Sequence, residues 1–391
     1  MNFVLLSDYY YPIVKSGSII VGDLAEELVN QGHNVSVISF VDNQNKKIQV
    51  NKSNNPNLIT IRSPFRKFGK VGRLIAEMNY SRRIINYFEK LNDIEFDGVI
   101  CYSPSIFYGK AVKFLKKKYK VNSYLIIRDI FPKWALDSGV LRPGILYKYF
   151  KFIESKLYDA NDFIGIEAKS DLGYFNNYGL NNSTLIEVLN NWGSTSLNID
   201  KNIAKNFLNS NKVNIVYGGN MGDAQDIFSL IKIIDFSILD SRAQIVLIGS
   251  GNQFKRIKDL IKDRNIKNIT LLPTVNRKEY LSIMSRADIG LVSLGNKMES
   301  NNYPLKMIGY MQLGKPILAS VNKGNEIIDM INENNIGLVS IALENERFNR
   351  NLDIMISDSR LRKEKGINAF SLFNEKFTVK VATQKITSHF L

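Results

Sequence analysis

Cysteine is almost missing from this chain: Cys101 is the one thiol among 391 residues. A disulfide within the chain is thereby excluded, and such usage fits a reducing compartment, with Cys101 read as a small buried hydrophobe. Histidine is equally sparse, present only as His33 and His389, and no D-x-D, H-x-x-H or C-x-x-C spacing occurs. The ready-made ligand sets of metal sites and the parts of a serine-histidine triad are therefore lacking. Long hydrophobic runs are lacking too, since no window approaches the roughly 18 apolar residues that a membrane span needs. The opening MNFVLLSDYYYP carries a short apolar run with no basic segment before it, and reads as a strand entering a loop rather than a secretion signal. The chain is expected to be soluble, or to lie on a membrane without crossing it.

What the chain has in excess is positive charge. With 52 Lys+Arg against 37 Asp+Glu, the net charge of +15 pulls toward an anion: nucleic acid, a phosphate-bearing substrate or anionic lipid. Charge alone does not choose among them, but no recognisable nucleic-acid-reading module is visible, which disfavours nucleic acid. Two basic stretches, RKFGKVGR (66–73) and KFLKKKYK (113–120), interleave Lys and Arg with Phe, Leu and Tyr. They suit an amphipathic surface on anionic lipid, or equally a pair of solvated helix faces.

At 45% hydrophobic and 23% charged the composition is that of a globular protein, and the length exceeds what one core usually fills, so two domains are expected. The first forty residues read as NFVLLS, a loop, the amphipathic IIVGDLAEELVNQGH and the strand NVSVISFV, with Gly32 as a helix stop: a βαβ opening. Alternation continues through LITIRS, a helix from about Leu74 to Leu91, DGVICYS, a helix from Ile106 to Tyr119, SYLIIRD, a helix from Ile145 to Tyr158, DFIGIE, a helix from Ser170 to Tyr178, and STLIEVLNN. Strands separated by such helices predict a parallel, doubly wound α/β sheet. The polar segment at 193–211 interrupts the rhythm as a linker, and a second strand-helix series follows from VNIVYGGNMG to NIGLVSI.

Several stretches carry candidate chemistry. IVYGGNMG (215–222) is a strand running into a glycine-rich turn, where a backbone approaches a phosphate or simply turns tightly between packed elements. Its pattern is not G-x-G-x-x-G, which disfavours a dinucleotide. IVLIGSGNQ (245–253) repeats the device, with Gly249 and Gly251 at the end of a strand. SGS (16–18) lies in the first βα connection behind Lys15, and RDIFPKW (128–134) puts Arg128 and Asp129 at a strand end near Trp134. Asp129 suits a sugar hydroxyl or a structural ion pair. YPLKMIGYMQLGKPIL (303–318) opens a helix after Pro304 with Lys306 in its first turn, either facing a phosphate or solvated.

Taken in order, DYYYP with LAEELVNQGHNVSVI, RDIFPKW, NIVYGGNMGDAQDI, IVLIGSGNQ, ADIGLVSL and YPLKMIGYMQLGKPILAS resemble the retaining glycosyltransferases of family 4, in particular the bacterial capsule and O-antigen enzymes that transfer acetamido-deoxyhexoses. The last stretch is similar to the family's P-S-K-x-x-E-Y-M-A-x-G-K-P-V segment. The resemblance implies the GT-B fold, two facing Rossmann-like lobes with a cleft between them. Residues 1–193 form the acceptor domain, with 375–391 returning to pack on it, and 194–374 the nucleotide-sugar donor domain. It implies a UDP-linked donor, no metal or other cofactor, a lipid-linked (polyprenyl-diphosphate) or glycan acceptor, and a cytoplasmic enzyme held peripherally at the inner face of the membrane. By position it makes Lys306 and Asp129 the catalytic residues. It assigns donor contacts to Gly17, Gly218, Gly219, Asn220, Met221, Gly222, Gly249, Gly251, Pro304 and Leu305. One departure stands out: relatives usually carry a ribose-binding glutamate where this chain has Gly309, and the partner acid eight positions earlier is Asn301, with Glu299 nearby. That loss leaves open an alternative, a weak or inactive relative that binds sugar nucleotide or glycan within an assembly complex.

Overall fold

The computed structural model describes all residues except 12, 14, 15, 43, 52–54, 92, 93, 138, 177, 179–183, 195, 196, 198, 201–206, 297–303 and 391, and only the backbone of 16, 66 and 70. The chain divides into two compact units. Unit 1 is Met1–Trp192 with Val379–Leu391, and unit 2 is Gly193–Thr378.

Unit 1 runs β1 (Asn2–Leu6), α1 (Ser16–Asn30), β2 (Asn34–Val41), β3 (Ile48–Asn51), β4 (Asn57–Arg62), α2 (Gly69–Met78), α3 (Tyr80–Phe88), β5 (Gly98–Tyr102), α4 (Gly109–Tyr119), β6 (Asn122–Ile126), α5 (Lys133–Asp137), α6 (Ile145–Tyr158), β7 (Phe163–Ile166), α7 (Leu172–Asn176) and β8 (Leu185–Val188). Its sheet has the order β3-β4-β2-β1-β5-β6-β7-β8, parallel except for β3, which pairs antiparallel with β4 at the edge. β1 is apolar and buried from Phe3 to Leu6 because both faces are covered. Val4 and Leu6 join the core under α3, α4 and α6, whereas Phe3 and Leu5 join the one under α1.

Unit 2 runs β9 (Val213–Asn220), α8 (Ile227–Ile233), β10 (Ala243–Ser250), α9 (Phe254–Asp263), β11 (Ile269–Leu272), α10 (Arg277–Arg286), β12 (Ile289–Ser293), α11 (Leu305–Gln312), β13 (Ile317–Val321), α12 (Ile327–Glu333), β14 (Gly337–Ile341), α13 (Asn345–Ser357) and α14 (Ser359–Lys376). Its sheet, β11-β10-β9-β12-β13-β14, is parallel throughout and carries one core on each face. Local chemistry agrees with the elements: Asn276 caps α10, accepting from Glu279 N at 2.9 Å while the Glu279 carboxylate accepts from Asn276 N at 3.2 Å.

Three expectations need correction. The helix expected over 74–91 is two, α2 and α3, meeting at Asn79, whose side chain donates to the Ile75 carbonyl at 2.8 Å and so competes with the helical ladder. SGS is the first turn of α1 rather than part of a loop. The basic run at 113–120 belongs to α4, where Lys116 pairs with Asp162 at 2.7 Å and Lys118 bonds the Phe88 and Leu91 carbonyls, so two of its lysines serve the fold.

After unit 2 the chain returns as α15 (Val379–Thr387). Val379, Ala382 and Ile386 are buried among Phe3, Leu24 and Trp192, and His389 stacks on Phe163 at 4.2 Å with Nε2 3.1 Å from Glu187. Among the described residues no helix is long and apolar enough to cross a membrane.

Candidate functional site

In a parallel sheet every βα connection leaves from the same edge, and that edge of unit 2 gathers the glycine-rich stretches. β9 and β10 pair along their whole length, which sets Gly249 against Gly219 and Ser250 against Asn220. The approach is too close for a side chain: a Cβ on Gly249 would lie 1.9 Å from the Gly219 carbonyl oxygen, and Gly249 has φ +150°. A Cβ on Gly251 would meet the Met221 carbonyl oxygen at 2.4 Å. Gly219 and Asn220 are exposed at the strand end, and Asn220 Nδ2 donates to Gln225 Oε1 at 2.9 Å over Gly222.

Met221 faces the core rather than this edge. Its side chain is fully buried, its N–H donates to Ser250 O at 2.7 Å and its carbonyl accepts from Gln253 N at 3.0 Å, so it builds the turn. The N-terminus of α8 is not an open anion site either, because Asp226 caps it and accepts from Ser229 N at 3.4 Å.

Lys306 completes the cluster. α11 begins after Pro304 with no side-chain cap and no acid in its first turn. The Lys306 ammonium donates to Tyr217 Oη at 2.6 Å and lies 3.9 Å from the centre of that ring. Its Cε is 3.5 Å from where a Cβ on Gly219 would stand. Burial pushes the Lys306 pKa down to about 7, and among the described residues no carboxylate stands near enough to hold it up. A partly desolvated cation beside exposed backbone, with a phenol as its partner, is the complement of a diphosphate.

Sequence reasoning missed the three tyrosines that build this geometry. Tyr217 also donates to the Asn220 carbonyl, so one phenol ties the lysine to the turn. Tyr310 accepts from Gly218 N at 3.2 Å and donates to Leu291 O at 3.2 Å, fastening α11 to β9 and β12. Tyr280 packs on Gly218, where a Cβ would come within 2.1 Å of its ring. IVYGGN does show a tyrosine directly before the glycines, but nothing in the stretch itself pairs it with Lys306.

Gly309 lies in α11 with no atom of the described residues within 4 Å of a Cβ built on it, the helix's own nearby backbone aside. Gly309→Ala is therefore expected to stabilise unit 2 by about 1 kcal/mol, read as a higher denaturation midpoint; a drop would mean that the space is not free. Asn301 and Glu299 lie outside the described residues. So does Lys15.

The strand ends of unit 1 carry a second polar cluster. Gly17, in the first turn of α1, approaches Tyr102, with a Cβ falling 3.7 Å from its ring. Arg128 turns inward, donating to Leu189 O at 2.7 Å and lying 4.6 Å from the centre of the Trp192 ring. Asp129 is exposed just beyond β6. Glu167, just beyond β7, was not foreseen: it accepts from Asn191 Nδ2 at 2.5 Å, and burial pushes its pKa up to about 8 against the pull of Arg128. Lys306 and Asp129 thus belong to different units. Among the described residues no three His, Cys, Asp or Glu side chains group as metal ligands.

Two α/β units, each with a parallel or nearly parallel sheet, define the GT-B architecture, and the solved structures agree. Sucrose-phosphate synthase from Thermosynechococcus elongatus superposes with a TM-score of 0.75 at 14% identity, covering 100% of this chain and 98% of that one. Anabaena Alr3699/HepE in complex with UDP and glucose gives 0.70 at 12% identity, covering 100% and 99%. At such identities the likeness carries the fold alone. Residues 198–371 match the family model described as Glycosyl transferases group 1. The probable glycosyltransferase WbjE of Pseudomonas aeruginosa is 24% identical over 220 residues, so the match spans about half of each protein, 54% of this chain and 54% of that one.

Proposed function

We propose that this protein is a glycosyltransferase that takes a sugar from a UDP-linked donor and passes it to a lipid-linked or glycan acceptor in surface-polysaccharide synthesis, working at the cytoplasmic face of the membrane. The observation that carries this is Lys306, a cation without a carboxylate partner among the described residues, set against the exposed Gly219-Asn220 turn inside the stretch that matches group 1 glycosyltransferases. HepE, of the same fold, has been seen with UDP.

In this reading the bond from the sugar's anomeric carbon to the β-phosphate oxygen breaks while the acceptor hydroxyl attacks from the same face. The acceptor proton leaves with the phosphate oxygen, and the configuration is retained. Lys306 and backbone N–H groups stabilise the charge that grows on the departing diphosphate, with no metal called upon. Asp129 orients a sugar hydroxyl. The transferred sugar is an acetamido-deoxyhexose, as in the enzymes that the sequence resembles.

The test is incubation of the full chain, in chelator, with radiolabelled UDP-N-acetylhexosamines and their 6-deoxy forms in the presence of polyprenyl-diphosphate-linked sugar. Label is expected in the organic phase. UDP binding with neither transfer nor hydrolysis would move the protein to the non-catalytic reading that the loss of the acid at Gly309 suggests.

A further inference from the structure

Unit 1 exposes apolar side chains in an order that its core does not require. Phe68, Val71, Ile75 and Met78 follow one another at spacings of three, four and three, one stripe of a helix, and all are open to solvent, Phe68 at 64% and Val71 at 70%. The inward face of α2 is the opposite one: Ala76 is in the core and Gly72 lies against the Phe65 carbonyl, where a Cβ would fall 2.2 Å from the oxygen. α6 repeats the arrangement. Ile145, Tyr149 and Phe152 face outward, Ile145 at 89% and Phe152 at 57%, while Phe150 and Leu157 fill the core.

Charge accompanies both stripes. Residues 62–83 hold seven Lys and Arg against one Glu, and residues 142–156 hold four against one. The acids within these stretches are engaged: Glu77 pairs with Arg73 at 2.6 Å, and the buried Glu154 with Lys151 at 3.0 Å and with the hydroxyls of Tyr158 and Tyr174. Some bases are engaged as well, Arg73 with Asp8 and Glu77, Lys151 with Glu154 and Lys156 with Asp159, but Arg62, Lys67, Arg82, Arg142 and Lys148 are exposed, so the outward surface is apolar and cationic together. A second copy of a chain with net charge +15 would bring like charges face to face, whereas an anionic leaflet accepts both features.

Topology adds a direction. α2 follows β4, and α6, after the short α5, runs back to the start of the parallel strand β7, so the beginnings of both helices, with Phe68 and Ile145, stand at the strand edge that also carries Arg128 and Asp129. We propose that unit 1 docks on an anionic bilayer through the Phe68-Val71-Ile75-Met78 and Ile145-Tyr149-Phe152 stripes, with the strand edge bearing Asp129 turned to the lipid. This rests on the membrane-borne acceptor of the proposed function and names the surface that reaches it.

The test is sedimentation of the full chain with phosphatidylcholine vesicles, with and without phosphatidylglycerol, alongside UDP titration of the same samples. The wild-type protein is expected to sediment with the anionic vesicles only, and less as salt is raised. Phe68→Ser with Val71→Ser, and separately Ile145→Ser with Phe152→Ser, are expected to lower partitioning on the order of 100-fold each while leaving UDP affinity unchanged. Equal binding to both vesicle types overturns the proposal, as does wild-type partitioning by both variants, or a dimer in lipid-free buffer that the same substitutions dissociate. Vesicle binding without UDP binding would instead fail the transferase reading and leave the docking surface standing. UDP binding without vesicle binding does the reverse.

Discussion

Lys306→Ala is expected to weaken UDP binding on the order of 100-fold and to abolish its pH dependence. A charge-assisted hydrogen bond to phosphate contributes about 1.5–3 kcal/mol, and one ammonium at a diphosphate makes at least one such bond. The pH profile is the sharper readout. Burial lowers the Lys306 pKa to about 7, so in the free protein the ammonium is charged below that pH and increasingly neutral above it. A bound diphosphate favours the charged form and raises the pKa, so binding above pH 7 takes up a proton. Affinity then falls as pH rises, with a slope approaching tenfold per unit until the bound-state pKa is reached. The terminal phosphate of UDP itself titrates near about pH 6, which places the informative window above 7. Titration calorimetry in buffers of different ionisation enthalpy reads both affinity and proton uptake. Lys306→Arg, charged throughout, is expected to bind with a flat profile. If Lys306→Ala matches the wild type at every pH, the diphosphate does not lie at this lysine.

Gly249→Ala is expected to be the most damaging single methyl group in unit 2. The added carbon would overlap the Gly219 carbonyl oxygen at 1.9 Å, and the atom it strikes is backbone in the neighbouring strand, unable to swing aside. Positive φ adds strain for any residue with a Cβ. Relief requires the ends of β9 and β10 to part, and with them the Gly219-Asn220 turn beside Lys306. A loss of about 3 kcal/mol or more follows, lowering the melting temperature of a unit this size by about 6–12 °C. UDP affinity should fall in the same variant. A thermogram within error of the wild type would show that the strand ends relax cheaply. The contrast with Gly309→Ala is instructive, since there the same methyl group enters open space.

Much of the architecture was legible because hydrophobic period speaks to element type. NFVLLS, NVSVISFV and IVLIGSG are strands buried on both faces and read so from their apolar runs, β-branched and broken only by small serines in the second. β3 was not legible: IQVN is a short, exposed antiparallel edge strand with no apolar run to announce it. α2 shows the opposite failure. A helical period at 71, 75 and 78 would ordinarily mark the core side, yet the packing surface is Gly72 and Ala76, small residues that let the chain come close. Lys306 could be singled out from Pro304 and its place in the first turn of the helix that follows. Its partner Tyr217, 89 positions away, could not, because only the folded sheet brings that phenol under the ammonium.

The return of α15 to unit 1 has a consequence for biogenesis. A ribosome makes every residue of unit 2 before it makes Val379, Ala382 and Ile386, so unit 2 is complete in sequence while unit 1 is still missing part of one wall. During that interval the side of the sheet bearing Phe3 and Leu5 is short of the cover that the last helix will supply. A chain cut between the two units' final residues would therefore keep the whole of unit 2 but expose an uncovered wall of unit 1, which makes its N-terminal half a client for chaperones.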